Sequence, residues 1–408
     1  MRDKIHVPSK AVILCLSGAQ FADIRDIPEV SALARSSAMA ELTPAPITGP
    51  VAQMYQAFSG RSPASTGFFD TLVPRNYSVV EELSGRGGKP VLLQDLLRTV
   101  GWTVQYEEME LSGLANQLSA WTQDASTTPA CFIARCDARR TVDVARALVP
   151  VLQIARAWLG ESNLLAIFSD MHTAPVERFV NVNNFLAEMG IIERDEQSGQ
   201  ISWPDSVAYF AGHGQLWINL LGRDPQGAVH PQGEFEEVRA SLIKALPQKL
   251  LDDGKPVIEC IYRKEDLYTS EYLFCLPDLV VVFKPGYAPS PQSAHLSFDA
   301  ATFTTPTGDA PVDAGLHPSS ARGFVLASAP ALAQGVALPE AAPLTALVPT
   351  LLHALAVEYV DMAEPAIGGL FSPAYLEQHP IRLHTLNQDL SEEDEERIIN
   401  HLRDLGYV

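Results

Sequence analysis

The chain has 408 residues, of which 47% are hydrophobic, and its formal net charge is −20. This much apolar material is enough to bury a large core, which excludes a disordered or fibrous protein. The 29 lysines and arginines are scattered rather than clustered, so we expect no nucleic acid partner.

The N-terminal region indicates where the protein resides. Residues 11–16 form an apolar run that is shorter than the core of a secretion signal, and no cleavage pattern follows it. No stretch reaches the roughly 18 unbroken apolar residues that cross a bilayer. We therefore expect a cytoplasmic protein with no membrane partner.

Short β-branched runs alternate with longer segments of helical period. We predict strands at residues 11–16, 102–106, 130–136, 164–168, 216–220, 278–283 and 323–327. We predict helices at residues 51–58, 91–100, 111–121, 141–159, 180–189 and 235–246. Alternation of this kind, with near-continuous apolar strands, indicates a doubly wound α/β fold with a mainly parallel sheet.

The last part of the chain has a different composition. Residues 285–343 are rich in Pro, Ser, Ala and Thr, which predicts long loops over one edge of the sheet. In residues 390–408, Ser391 has the position of an N-cap, acidic residues follow it, and apolar residues then recur at helical spacing. We therefore predict a C-terminal surface helix. We assign both parts to a single domain that spans residues 1–408.

The residues that follow the predicted strands are the functional candidates, because ligands of open α/β sheets bind where the strands end. Ser17, Asp137 and Asp170 each follow such a strand. An isolated Asp or Ser in this place is more often a helix cap. Three of them, each at the end of a predicted strand, favour a phosphate-handling metal site.

Residues 169–183, SDMHTAPVERFVNVN, resemble the SDHG segment and its following helix in phosphodiesterase-like members of the alkaline phosphatase superfamily. Seven further segments resemble the same proteins, and they are spread in order along nearly the whole chain. The seven are LCLSGAQF, ITGP with FSGRSPASTGFFD, AYFAGHGQLWINLLGRDPQGAV, YLFCLPDLVVVFKPGY, GLHPSSARGFVLASAP, LTALVPTLLHALAV and LSEEDEERIINHLRDLGYV. The resemblance implies an alkaline-phosphatase-like fold in which two divalent metals, usually zinc, support attack by a Thr or Ser on phosphorus or sulfur.

The resemblance also implies roles for particular residues. It places Thr48 at the position of the nucleophile. It places Asp137, Asp170 and His317 at three of the six positions that provide metal ligands in the family. We expect these residues to meet at the edge where the strands end.

The other three ligand positions are replaced. Ser17 stands where the family has Asp, and Met171 and Thr141 stand where it has His. His172, one residue after Met171, is a further ligand candidate if the turn is distorted. Other sources of compensation are His213, His295, Arg139 and Arg140, although we interpret both histidines as ordinary turn or loop residues.

Three functions remain open at this stage. The first is a hydrolase or transferase that acts on a small phosphoric or sulfuric ester, with one or no zinc or other divalent metal. The second is a catalytically inactive pseudo-hydrolase that serves as a binding or partner protein. The third is metal-free chemistry in the same pocket, because function depends on the site rather than on the fold.

Overall fold

The computed structural model describes residues 5–45, 49–82, 90–125, 128–138, 143–170, 176–195, 197–269, 272–299, 301–306, 322–360 and 362–382. The following elements lie within them.

The strands are β1 (Lys10–Ser17), β2 (Ala38–Thr43), β3 (Leu72–Arg75), β4 (Ser78–Glu81), β5 (Thr103–Met109), β6 (Ala130–Asp137), β7 (Leu164–Ser169), β8 (Arg178–Val180), β9 (Ala208–Ala211), β10 (Gln215–Ile218), β11 (Leu251–Asp252), β12 (Lys255–Pro256), β13 (Ile258–Arg263), β14 (Leu279–Phe283), β15 (Tyr287–Pro289), β16 (Phe303–Thr304), β17 (Gly323–Ser328), β18 (Val336–Ala337) and β19 (Ala342–Pro343). The helices are α1 (Phe21–Ile24), α2 (Pro28–Ala34), α3 (Pro50–Ser59), α4 (Pro63–Thr66), α5 (Leu93–Thr99), α6 (Leu111–Asp124), α7 (Val144–Leu159), α8 (Val182–Glu188), α9 (Glu234–Lys249), α10 (Lys264–Leu267), α11 (Pro291–Ala294), α12 (Leu347–Ala354) and α13 (Pro373–Gln378).

The largest sheet has the strand order β18-β2-β17-β7-β1-β6-β5, with β19 paired to β2. Its strands run parallel except for β17, which is antiparallel to both β2 and β7. The predicted α/β fold with a mainly parallel sheet is therefore confirmed.

Helices cover both faces of this sheet, and β1 shows why. Successive side chains of a strand point to opposite faces. Ala11, Ile13 and Cys15 join one core cluster, which includes residues of α3, α5 and α12. The alternate residues, Val12, Leu14 and Leu16, join a second cluster with α2, α6 and α7. A strand buried on both faces reads as one apolar run, as residues 11–16 do.

A smaller antiparallel sheet has the order β13-β14-β10-β9. Its apolar side chains pack with α8 and α9 in a third core cluster. Two of the predicted strands, residues 216–220 and 278–283, fall in this sheet rather than in the parallel one. The sequence pattern identified them as strands, but their partners depend on contacts between distant parts of the chain.

The region of residues 285–343 contains more regular structure than the predicted loops. It includes β15, which pairs with β8, and β17, which lies inside the large sheet. Residues 307–321 of this region, and the predicted helix at residues 390–408, lie outside the described residues. Within the described part of the chain, every helix is too short or too polar to cross a bilayer.

Candidate functional site at the strand ends

The structure brings Ser17, Asp137 and Asp170 to one edge of the large sheet. Ser17 is the register partner of Asp137 on the neighbouring parallel strand. On the other side of β1 lies β7, where Cys15 pairs with Phe168. Because these two strands are parallel, Ser17 is level with Asp170, each two residues further along its strand. Adjacent strands lie about 4.8 Å apart, which puts the backbones of Asp137 and Asp170 about 10 Å from each other.

The remaining predicted site residues lie outside the described residues. These are Thr48, His172 and His317, together with the replaced positions Thr141 and Met171 and the alternatives Arg139 and Arg140. The chain on either side of Thr48 is described. Strand β2 ends at Thr43 on the same edge as Asp170, because Glu41 and Ser169 both pair with Phe324 of β17.

An arginine lies between two of the ligand positions. Arg135, on β6, donates from Nη2 to Ser17 Oγ at 3.2 Å and from Nε to Asp170 Oδ2 at 3.4 Å. Burial alone would lower the pKa of Arg135, but the charge of the neighbouring Asp170 carboxylate acts against burial, and the pKa is raised overall. Arg135 therefore carries a full positive charge next to the two residues.

The carboxylate of Asp170 is fully buried, and only one of its two oxygen atoms accepts a hydrogen bond from a described residue. Its Oδ1 atom has no hydrogen-bond partner among the described residues. A buried carboxylate oxygen without a donor is costly, so Oδ1 is an unsatisfied acceptor at the edge where the strands end.

This arrangement does not fit a zinc ion held by Ser17 and Asp170. The guanidinium already provides the positive charge there and would repel a second cation. Ser17 contributes a neutral oxygen that already accepts a hydrogen bond from Arg135. No cluster of three or more metal-ligating side chains forms within the described ranges. The second predicted metal position, which includes Asp137 and His317, is described only at Asp137.

A second polar cluster lies beside Gly49, the residue that follows Thr48. Gly49 is the N-cap of α3, and its amide donates to the Phe69 carbonyl at 3.1 Å. A Cβ atom on Gly49 would lie 2.5 Å from Asp70 Oδ1 and 3.5 Å from His213 Nδ1. Only glycine fits at position 49 without moving Asp70.

Asp70 and His213 form a close pair in this cluster. His213 Nδ1 lies 2.9 Å from both carboxylate oxygens of Asp70, and the His213 amide donates to Oδ2 at 2.9 Å. Gln215 Nε2 donates to the same Oδ2 at 2.8 Å. The Asp70 side chain is 4% exposed, whereas that of His213 is 29% exposed.

The hydrogen bonds around Asp70 determine its charge. Burial acts to raise the pKa of Asp70, but the charge of His213 and the hydrogen bonds from His213 and Gln215 outweigh it, and the pKa lies below its ordinary value of 3.8. Asp70 is therefore an ionised carboxylate at neutral pH, paired with an imidazole.

A cavity of about 350 Å³ adjoins Asp70. Its lining includes the aromatic residues Phe69, Tyr209 and Trp217. Four charged side chains also line it, namely Arg75, Glu82, Arg223 and Asp224. A small polar molecule with an apolar part could enter this cavity.

Sequence reasoning missed Arg135 and the pairing of Asp70 with His213. Arg135 is the one charged residue between the apolar positions of ACFIARC in β6, and that anomaly in a buried strand was an available signal. His213 does lie in the turn between β9 and β10, as interpreted, but its side chain meets a residue 143 positions earlier. No local pattern identifies such a pair.

The mainly parallel sheet and the helices on both its faces define an α/β fold. The chain is similar to an inactive variant of murine ectonucleotide pyrophosphatase/phosphodiesterase 5 in complex with AMP, with 12% identity, a TM-score of 0.58, and coverage of 89% of this chain and 100% of that chain. It is also similar to the human protein of the same name, with 13% identity, a TM-score of 0.54, and coverage of 91% and 99%. No protein-family model and no curated protein sequence matches the chain. At these identities the likeness shows the fold.

Proposed function

We propose that the chain is a phosphodiesterase-like hydrolase or transferase that binds a phosphoric or sulfuric ester where β1, β6 and β7 end. The fold supports this proposal, because the murine neighbour binds AMP, which is a phosphate ester. Ligands of open α/β sheets also bind at this edge. The net charge of −20 means that an anionic ester needs a local positive charge to hold it.

The observation that carries the proposal is the position of Arg135. Its guanidinium is held at the strand ends by Ser17 and Asp170. A guanidinium presents several N–H donors in one plane, which suits phosphate and sulfate oxygens. We propose that Arg135 provides there the charge that a metal ion provides in related enzymes.

The attacking group in this proposal is the hydroxyl of Thr48. Thr48 precedes the N-terminus of α3 and follows β2, which ends at the same edge as Asp170. The N-terminal end of a helix stabilises negative charge on a nearby oxygen. In the murine neighbour, the inactive variant is one in which a threonine is replaced by alanine.

We propose at most one divalent metal ion, at Asp137. Carboxylates and imidazoles are ordinary zinc ligands, so Asp137 with His317 and His172 would hold it. A metal ion at this position would act as a Lewis acid on an ester oxygen.

Turnover and binding measured together test the proposal. We expect slow hydrolysis of an aryl phosphodiester or aryl sulfate by the parent, and loss of it in Thr48→Ala. AMP binding, measured by calorimetry, should weaken at least tenfold in Arg135→Met and stay unchanged in Arg98→Met, which alters an exposed arginine of α5. A parent that neither binds AMP nor cleaves any of these esters contradicts the proposal.

The pseudo-hydrolase is the second candidate, and the same arginine favours it. The guanidinium lies between Ser17 and Asp170, where the family resemblance implies a metal, so this candidate function has no metal-dependent activation at that position. In this case AMP still binds and still depends on Arg135, whereas Thr48→Ala changes no rate because the parent has none.

A further inference from the structure

The strand ends carry a further charged side chain that the proposed function does not use. Glu108, on β5, is the register partner of Arg135 on the neighbouring strand β6. We propose that Glu108 binds an alkylammonium group of the ligand, so that the ester held by Arg135 is an aminoalkyl phosphate or sulfate. This inference rests on the proposed function and narrows the class of ester.

Glu108 and Arg135 lie on the same face of the large sheet. Successive side chains of a strand point to opposite faces, so residues two apart share a face. Ile133, two residues before Arg135, belongs to the core cluster that includes α3, α5 and α12. Tyr106, two residues before Glu108, packs against the same cluster. A ligand on this face can therefore contact Arg135 and Glu108 together.

The two charged side chains extend away from each other. In the strand order β7-β1-β6-β5, Arg135 reaches away from β5 to contact Ser17 and Asp170. Glu108 is held on its own strand instead, because the Tyr106 hydroxyl donates to its Oε1 at 2.6 Å. The guanidinium and the carboxylate are then separated by no more than about two strand spacings, or about 10 Å.

Aromatic side chains fix the position of Glu108. The Tyr106 ring meets the Phe58 ring edge-on with centroids 6.1 Å apart, and Phe58 packs on Phe168 with centroids 5.5 Å apart. Tyr55 of α3 also lies nearby, since burial raises its pKa and the charge of Glu108 raises it further. A carboxylate beside tyrosine rings suits an alkylammonium group, because aromatic rings attract cations as well.

The distance between the two charged groups limits the length of the ligand. A hydrogen bond from the guanidinium to an ester oxygen, and one from an ammonium group to the carboxylate, each span about 3 Å. About 4 Å of the separation then remains between the anionic oxygen and the ammonium nitrogen, which suits a spacer of about two carbons. AMP has no ammonium group, so it can use only the contact with Arg135.

A purely structural role for Glu108 is less economical. Arg135 already has a countercharge in Asp170, which is fully buried and lies 3.4 Å from the guanidinium. Glu108 is exposed, so water can solvate its charge without a partner from the protein. Neither the burial of Arg135 nor the solvation of Glu108 therefore requires the hydrogen bond from Tyr106.

Two ligands of equal size test the inference by calorimetry. They are 2-aminoethyl phosphate and propyl phosphate, in which a methyl group replaces the ammonium group. We expect the parent to bind the amine about fivefold or more tightly than propyl phosphate. Glu108→Gln can still accept the hydrogen bond from Tyr106, but it should bind the two ligands equally. Glu107→Gln should keep the preference, because Glu107 faces α6, where Gln117 donates to it at 3.0 Å.

Two further variants separate the two contacts. Arg135→Met should weaken both ligands by the same factor, because it removes only the contact with the anionic group. Tyr106→Phe keeps the ring and releases Glu108, so the preference for the amine should fall. Thermal unfolding of each variant shows which ones are folded, and the comparison of the two ligands on the parent needs no variant.

The outcomes distinguish this inference from the proposed function. Equal affinity of the parent for the two ligands, an unchanged preference in folded Glu108→Gln, or no binding of either ligand would overturn the inference. Propyl phosphate binding that depends on Arg135, without a preference for the amine, supports the proposed function and rejects the inference. A preference that depends on Glu108, in a protein that cleaves neither aryl esters nor 2-aminoethyl phosphate, supports the inference and rejects ester cleavage as the function.

Discussion

Replacing Arg135 with methionine tests whether the guanidinium neutralises the buried carboxylate of Asp170. The change keeps most of the side-chain volume and removes the charge. Asp170 is fully buried, and its Oδ1 already has no partner among the described residues. In Arg135→Met its Oδ2 loses the ion pair as well, so the buried side chain is left without its countercharge.

Removing one member of a buried ion pair costs about 3–5 kcal/mol. Two features of the structure reduce that value here. The Arg135 side chain is 21% exposed, and the Nε to Oδ2 distance is 3.4 Å, which is long for a charge-assisted hydrogen bond. We therefore expect the free energy of unfolding at pH 7 to fall by about 2–3 kcal/mol in Arg135→Met.

The double variant Arg135→Met with Asp170→Asn identifies the cause. Because it removes both charges, it should be less destabilised than the sum of the two single changes, by about 1–2 kcal/mol. Urea unfolding followed by circular dichroism measures all four free energies. If the two effects simply add, or if Arg135→Met costs less than about 0.5 kcal/mol, Arg135 does not neutralise Asp170 and our explanation of the strand-end site is wrong.

Three further predictions concern Gly49, Asp70 and the metal. Gly49→Ala should lower the free energy of unfolding by about 1–3 kcal/mol, since its Cβ would lie 2.5 Å from Asp70 Oδ1. The matched control is Gly113→Ala in α6, where the nearest atom to the added Cβ is the flexible end of Met109 at 3.0 Å. This change should leave the stability unchanged or raise it. If thermal unfolding shows that both variants lose the same stability, the contact with Asp70 is not the cause. The pKa of Asp70 lies below its ordinary value of 3.8, so its ionised form contributes stability above about pH 4 that is lost as the pH falls through the folded-state pKa. Asp70→Asn should therefore lose less unfolding free energy than the parent between pH 5 and pH 2. Acid titrations that run parallel for the two proteins would disprove this. Finally, Ser17→Asp alone should gain little zinc affinity because Arg135 remains, whereas Ser17→Asp with Arg135→Ala should bind zinc more tightly in calorimetry. Equal affinities would show that the guanidinium does not exclude the metal.

The local sequence pattern predicted most of the large sheet. The apolar runs of β1, β6 and β7 are continuous because helices cover both faces, so the pattern itself reports burial. The residue after each run could then be assigned to the strand end, and Ser17, Asp137 and Asp170 do lie side by side there.

Sheet membership was not predictable in the same way. Residues 216–220 and 278–283 have the composition of buried strands, yet they pair with each other in the antiparallel sheet. β17 is antiparallel within an otherwise parallel sheet. Strand composition records that a segment is extended and buried, but its direction and neighbours depend on the path of the connecting chain.

The chemistry of the site depended most on the tertiary structure. The resemblance seen in the sequence implied that Ser17 stands where phosphodiesterase-like proteins have a charged ligand, but nothing in the sequence indicated that Arg135 donates to Ser17. Asp70 and His213 are 143 residues apart, and the sequence around His213 indicates only an ordinary turn. Periodicity and capping arise from neighbours along the chain, whereas the contact of a carboxylate with a guanidinium or an imidazole exists only after folding brings distant strands and turns together.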